Sequence, residues 1–225
     1  MRLVLTEDGS YTLFNELIGE HYHSTHGAVQ ESRHVFLQAG LIHFLEIHSR
    51  SEKISVLEVG FGTGLNFLLS AAYCLDNGIQ LDYCGIEAHP LDEGLLKAPN
   101  YGDYVDPVLW EAFLRDYPAA LDKPVLIQPG LNLGIVPVRV LEFTQEGLFD
   151  LLYFDAFGTS HQPEMWTDEV LKHVCRFLKP GGTFVTYAIT GQLKRSLKAL
   201  GFTIEKLPGA PGKREMLRAV KGYLA

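Results

Sequence analysis

Glycines at alternate positions, Gly60, Gly62 and Gly64 in the stretch "VLEVGFGTGLNFLL", stand where a run of strand character passes into one of helical character. Such a turn lets backbone approach a ligand closely. A dinucleotide turn would place its third glycine at position 65, which is Leu65, so G-x-G-x-G suits a nucleoside with an amino-acid tail and no pyrophosphate, as in S-adenosylmethionine (SAM). Glu58, in the strand just before the turn, is placed to meet an ammonium directly or through water.

Two further carboxylates belong to the same rim. Glu87 ends the next strand, where a carboxylate can accept both hydroxyls of a ribose. Asp155, in "YFDAFGTSHQPEMW", ends a strand that is apolar on both sides, and a carboxylate in that position is costly unless it is paired or used. Asp155 is therefore the candidate for handling an acceptor, with Phe157 walling the pocket. His21, His23 and His26 in "HYHSTH" lack a carboxylate or cysteine at ligand spacing, so no metal is expected.

The elements that must position these residues follow from the pattern around them. "RLVLTEDGSYTLFN" reads as a hairpin turning at Asp8-Gly9, and Ala28 to about His48 has an apolar face at helical spacing, so 1–50 forms an N-terminal extension. Strand and helix then alternate: "ISVLEVG", "TGLNFLLSAAYCLDNG", "LDYCGIEA", "GLFDLLYFDAF", a helix from Pro163 to Leu178, a turn at Lys179-Pro180-Gly181-Gly182, "TFVTYAI", and the helix "GQLKRSLKAL". "FTIEKL" and "REMLRAV" close the chain as a hairpin. The expected fold class is α/β, a Rossmann-like, mostly parallel sheet with a terminal antiparallel hairpin. Residues 98–140, with prolines at 118, 124, 129 and 137, interrupt the alternation as an insert, either a lid or an extra layer.

Size and charge bound the reading. At 225 residues the chain suits a single domain, and no apolar run approaches the roughly 20 residues of a membrane span, which leads to a cytoplasmic expectation with no membrane partner. Cys74, Cys84 and Cys175 fit reduced buried thiols. The net charge of -8 hides a split: from Lys179 onward there are nine Lys/Arg against two acids, a basic quarter able to meet a polyanion.

Four segments resemble the methyltransferase half of MnmC-type enzymes, which complete 5-methylaminomethyl-2-thiouridine at the tRNA wobble position. They are "YHSTHGAVQESRHVFL", "GFGTGLNFL", "DAFGTSHQPEMW", and "GQLKRSLKALGFTIEK" with "GKREML". The resemblance implies a SAM-dependent N-methyltransferase of the 5-aminomethyl group, releasing S-adenosylhomocysteine. Gly60, Gly62, Gly64 and Glu87 match cofactor-lining positions, Asn66 lies within the same motif and joins that set, and Tyr22 and Ser24 would fold over the methionine end. Asp155, Phe157 and the stretch containing Pro163, Met165 and Trp166 match the acceptor side, with Trp166 a candidate to stack on an anticodon base. Lys194, Arg195, Lys213 and Arg214 match a basic region facing the tRNA anticodon arm.

The chain departs from the family pattern at three places. "VPVRVLEFTQ" lacks an adenine-side Asp, and the loops 158–162 and 208–212 differ near the acceptor. The flavin oxidase half of bifunctional relatives has no counterpart in these residues, so no FAD is expected, and no obligate protein partner is implied. A methyltransferase of a small amine, and a non-catalytic SAM- or nucleoside-binding module, remain open as alternatives.

Overall fold

A computed structural model describes residues 1–48, 51–146 and 148–223. β1 (Arg2–Leu5), β2 (Tyr11–Asn15) and the short β3 (Glu20–His21) form a small antiparallel sheet. Its first turn is made as the sequence requires: Gly9 takes φ 84° and the Asp8 carboxylate accepts from the Ser10 amide at 2.9 Å. Three consecutive helical segments follow, α1 (Ala28–Ser32), a π-helix over Arg33–Ile42, and α2 (His43–Ile47). They carry Val29, Phe36, Leu41 and Phe44 into the core.

β4 (Lys53–Val59), α3 (Leu65–Asp76) and β5 (Gln80–Ile86) form the first parallel crossover. The stretch 98–140 is not a lid. After α4 (Glu93–Lys97) it supplies α5 (Pro107–Ala120), started by Pro107 and capped by Asp106, and then β6 (Val125–Gln128) and β7 (Leu131–Val136). β7 pairs with β5 in parallel and β6 closes that edge antiparallel, so the excursion extends the sheet. Its prolines mask this in sequence, because they fall at the helix interior and loop ends rather than inside the strands.

β8 (Phe149–Phe154) returns to the other side of β4, followed by a 3-10 turn over Pro163–Trp166, α6 (Asp168–Cys175), β9 (Leu178–Thr186), α7 (Gly191–Ala199), β10 (Phe202–Pro208) and β11 (Glu215–Lys221). The expected helix from Pro163 to Leu178 is shorter and divided, because Thr167 caps α6 through the Val170 amide. The expected turn at Lys179–Gly182 is absent as such. β9 already pairs with β8 at Phe149–Leu178, and the Pro-Gly-Gly run is absorbed as a register shift before Leu151–Thr183.

The strand order is β10-β11-β9-β8-β4-β5-β7-β6. Since β4 leads to β5 on one side and meets β8 on the other, the order reverses between β4 and β8, where an open parallel sheet presents a crevice at its carboxyl edge. The π-helix, α3 and α5 cover one face, and α6 and α7 the other. On the first face Phe61, Phe67, Tyr83, Phe113 and Tyr117 form one aromatic cluster that holds α3 and α5 behind the glycine turn.

Candidate active site

The turn after β4 is tight because two backbones meet there. A Cβ on Gly60 would lie 2.6 Å from the Asp155 carbonyl oxygen, and Gly62, at φ 53°, would bring one within 2.9 Å of the Tyr22 ring. Glu87 at the end of β5 accepts from the Gly62 amide at 2.9 Å and from the His89 amide at 2.9 Å. The ring of Tyr22 lies over this turn and meets Phe157 edge-on at 5.1 Å. Burial beside Glu87 pushes the Tyr22 hydroxyl up to about 12, so it stays a neutral donor. The N-terminal extension thereby covers the crevice.

Side chains alternate along a strand, so Val56 and Glu58 of β4 face α3, as do Tyr153 of β8 and Asp155 just beyond it. Asn66, in the first turn of α3, stands between the two acids. Its amide nitrogen donates to Glu58 at 2.7 Å and to Asp155 at 2.8 Å, while its oxygen accepts from the Ser32 hydroxyl. Glu58 is 1% exposed and also accepts from the Tyr83 hydroxyl at 2.8 Å. The expectation that Glu58 reaches a ligand is therefore corrected: it is sealed beneath Asn66. Burial, and then the neighbouring Asp155, hold its carboxyl well above the usual carboxylate range.

Asp155 opens onto a cavity of about 200 Å³, lined also by Glu20, Tyr22, His23, Ser24, Glu31, Phe157, Tyr187 and Lys213. Burial and the Glu31 charge raise the Asp155 carboxyl to about 8, against the Asn66 bond and Lys213, which lower it. Glu31, itself 6% exposed, takes the Ser24 amide at 2.8 Å and the Lys213 ammonium at 2.6 Å, and that ammonium sits 3.7 Å over the Tyr187 ring. His23, buried and bonded to Thr63 at 3.0 Å, is driven by burial to about 4 and is neutral at physiological pH. The cavity thus presents Glu20, Glu31 and Asp155 against one lysine, an arrangement suited to a cation.

Four other expected residues change place. Trp166 is 6% exposed, its indole donates to the Phe157 carbonyl at 2.7 Å, and its ring packs on Phe154, so it fixes the Phe157 backbone and offers no face for a base. Lys213 belongs to the cavity and not to an outer basic face. Pro163 is exposed and Met165 half-buried, and neither lines the cavity. Lys194 is half-buried, and Arg195 and Arg214 are exposed; among the described residues these three make no ion pair. Sequence reading missed Glu20 and Glu31; only "QESRHVFL" within the first resembling segment marked Glu31. Among the described residues no group of His, Cys, Asp and Glu is disposed to hold a metal, and no helix is long and apolar enough to cross a membrane.

A family model described as S-adenosyl-L-methionine-dependent methyltransferase matches residues 107–222, just over half of the chain. The chain belongs to that methyltransferase family. The methyltransferase is also similar to two curated proteins called tRNA 5-methylaminomethyl-2-thiouridine biosynthesis bifunctional protein MnmC. The one from Magnetococcus marinus is 32% identical over 89% of this chain and 31% of its own length, and the one from Aeromonas hydrophila is 32% identical over 88% and 32%. The chain thus spans about a third of the length of the curated relatives it matches. Among solved structures, MnmC2 from Aquifex aeolicus superposes with a TM-score of 0.78 at 22% identity, covering 100% of this methyltransferase and 72% of that chain. The magnesium protoporphyrin IX methyltransferase of Synechocystis, solved with bound SAM, gives 0.50 at 12% identity over 81% and 76%. Both show the shared Rossmann-like fold.

Proposed function

We propose that this methyltransferase N-methylates the 5-aminomethyl group of 5-aminomethyl-2-thiouridine at the wobble position of tRNA. The observation that carries the reading is the acid-rich cavity at the carboxyl edge of β8, where Asp155 faces space framed by Glu20, Glu31 and Phe157. A protonated amine finds charge complementarity there, and the names of the curated relatives supply the tRNA substrate class.

SAM fits the cradle beside it. Gly60, Gly62 and Gly64 leave no room for side chains along the turn, and Glu87 stands at the end of β5 for the ribose. Tyr22 and Ser24 close over the methionine end. When bound, SAM supplies an electrophilic methyl group on its sulfonium.

The remaining task is to present an unprotonated amine. Asp155 takes a proton from the acceptor ammonium, and the nitrogen lone pair that this frees is held toward the methyl carbon. A carboxyl raised to about 8 has a proton affinity near that of an amine, so the transfer is nearly balanced, and a neighbouring cation eases its ionisation. Phe157, pinned through its carbonyl by Trp166, and the Tyr22 ring keep water from the reacting atoms. Lys194, Arg195 and Arg214 give the tRNA backbone its contacts.

The test is transfer of labelled methyl from SAM to tRNA carrying unmethylated 5-aminomethyl-2-thiouridine, with fully modified tRNA as control. Label on the wobble base of the first alone is expected. Absence of label with SAM bound in the same sample would move the assignment to a small amine.

A further inference from the structure

Asn66 has a single amide nitrogen with two hydrogens, and each meets a different carboxylate, Glu58 at 2.7 Å and Asp155 at 2.8 Å. At the other end of the amide, the Asn66 oxygen accepts from the Ser32 hydroxyl. Glu58 meets only donors, Asn66 and Tyr83, and no cation. Two acids on adjacent strands therefore hang from one neutral bridge. Only one of them, Asp155, opens onto the cavity.

We propose that Asn66 and Glu58 are positioning residues for the proton transfer: Asn66 holds the Asp155 carboxylate toward the acceptor, and Glu58, sealed beneath it, anchors Asn66 without touching any ligand. This rests on the assignment of Asp155 as the group that takes the acceptor's proton. It replaces the reading in which an acid on the strand before a glycine turn meets the cofactor's ammonium.

Electrostatics give the bridge a second effect. The groups facing Asp155 are Glu20 from β3, Glu31 from α1, Lys213 from the turn before β11, Tyr187 after β9, and Asn66 from α3. Asn66 is the one that donates directly to the carboxylate, so it favours the ionised form that can accept a proton. A second negative charge on Glu58 would oppose that ionisation. Burial, and then the neighbouring Asp155, hold the Glu58 carboxyl well above the usual carboxylate range, which disfavours that second charge.

A glutamine at 58 keeps a side-chain oxygen to accept from Asn66 and carries no charge, which separates anchoring from charge. Methyl transfer to 5-aminomethyl-2-thiouridine tRNA would be measured as a kcat–pH profile for Asn66→Ala, Glu58→Ala, Glu58→Gln and Asp155→Ala, with SAM affinity measured separately by calorimetry. Asn66→Ala and Glu58→Ala are expected to lower the kcat plateau about tenfold and to move its acid limb up by about one pH unit, with SAM affinity within threefold of wild type. Glu58→Gln is expected to recover both plateau and limb.

Several outcomes would overturn the proposal. One is an unmoved limb in Asn66→Ala. Another is a Glu58→Gln protein as impaired as Glu58→Ala with weakened SAM binding, which would return Glu58 to the cofactor. If Asn66→Ala does not fold, the contrast between the two Glu58 variants decides alone. Transfer retained by Asp155→Ala would overturn the Asp155 assignment and this proposal together. Loss in Asp155→Ala with unaltered profiles in the other variants would overturn only the bridge.

Discussion

At the scale of single residues, burying Asp155 costs stability, and the cost has a sign. Its carboxyl is raised from 3.8 to about 8 by burial and by Glu31. Between those values the folded protein keeps a proton that the unfolded chain has released, so stability falls as pH rises through that window and the loss is complete above about 8. Asp155→Asn mimics the protonated form and is expected to match wild type near pH 4. It should be more stable at pH 8 to 9 by on the order of a few kcal/mol. Urea unfolding without SAM at both pH values would check it, and equal stabilities at pH 9 would refute the raised value. His23 adds the opposite slope, because a histidine lowered to about 4 loses stability as pH falls from about 6.5.

The sequence exposed these residues unevenly. Gly60, Gly62, Gly64, Glu87 and Asp155 were legible because strand ends bring carboxylates and glycines to one edge of a parallel sheet. Glu58 was legible as an acid but not as a buried one. Its neighbours Asn66 and Tyr83 come from a helix and another strand, and only the fold brings them together.

At the scale of elements, the segment from Ala28 to Ile47 shows what periodicity conveys and what it omits. Val29, Phe36, Leu41 and Phe44 were readable as one buried face. The step of five from Phe36 to Leu41 belongs to a π-helical turn, and an α-helical template absorbs it as scatter. This π-helix has an outside support: Arg218 of β11 donates to the Ala39 carbonyl at 3.0 Å and to Glu205 of β10 at 2.7 Å. Arg218 is only 9% exposed, whereas Glu205 is partly solvated. Arg218→Ala should therefore destabilise by about 2 kcal/mol, short of the full penalty for stranding a buried charge. Thermal unfolding would show it, and amide exchange of residues 33–42 should accelerate along with the global change. A normal melting temperature would mean the π-helix holds without Arg218. The 98–140 segment taught the converse lesson: its prolines advertised irregularity, while the short run "LNLGIV" was already a sheet strand paired with β5.

At the scale of the whole molecule, charge is sorted by place. The total is -8, and three carboxylates crowd the cavity, yet nine of the basic residues fall after position 178. The structure divides those nine. Lys179, Lys206, Lys213 and Arg218 are ion-paired, and the Lys221 ammonium is bonded to the Cys175 and Leu178 carbonyls. Lys194, Arg195 and Lys198 on α7, with Arg214, make no ion pair among the described residues. A polyanion approaching the acceptor cavity would be repelled by its acids unless this helix held the phosphates, so α7 should set tRNA affinity while leaving cofactor affinity alone. Replacing Lys194, Arg195 and Lys198 together by alanine removes up to three phosphate contacts. The slope of log affinity for tRNA against log salt should become shallower by about 2. Nitrocellulose filter binding across a salt series would measure it, with SAM affinity as the control for folding. The same variant should methylate a free 5-aminomethyl-2-thiouridine nucleoside as well as wild type does, because the cavity proposed to take the amine is unchanged. An unaltered slope for tRNA would place the phosphate contacts on another face, and a matching loss with the nucleoside would mean that α7 supports the cavity itself.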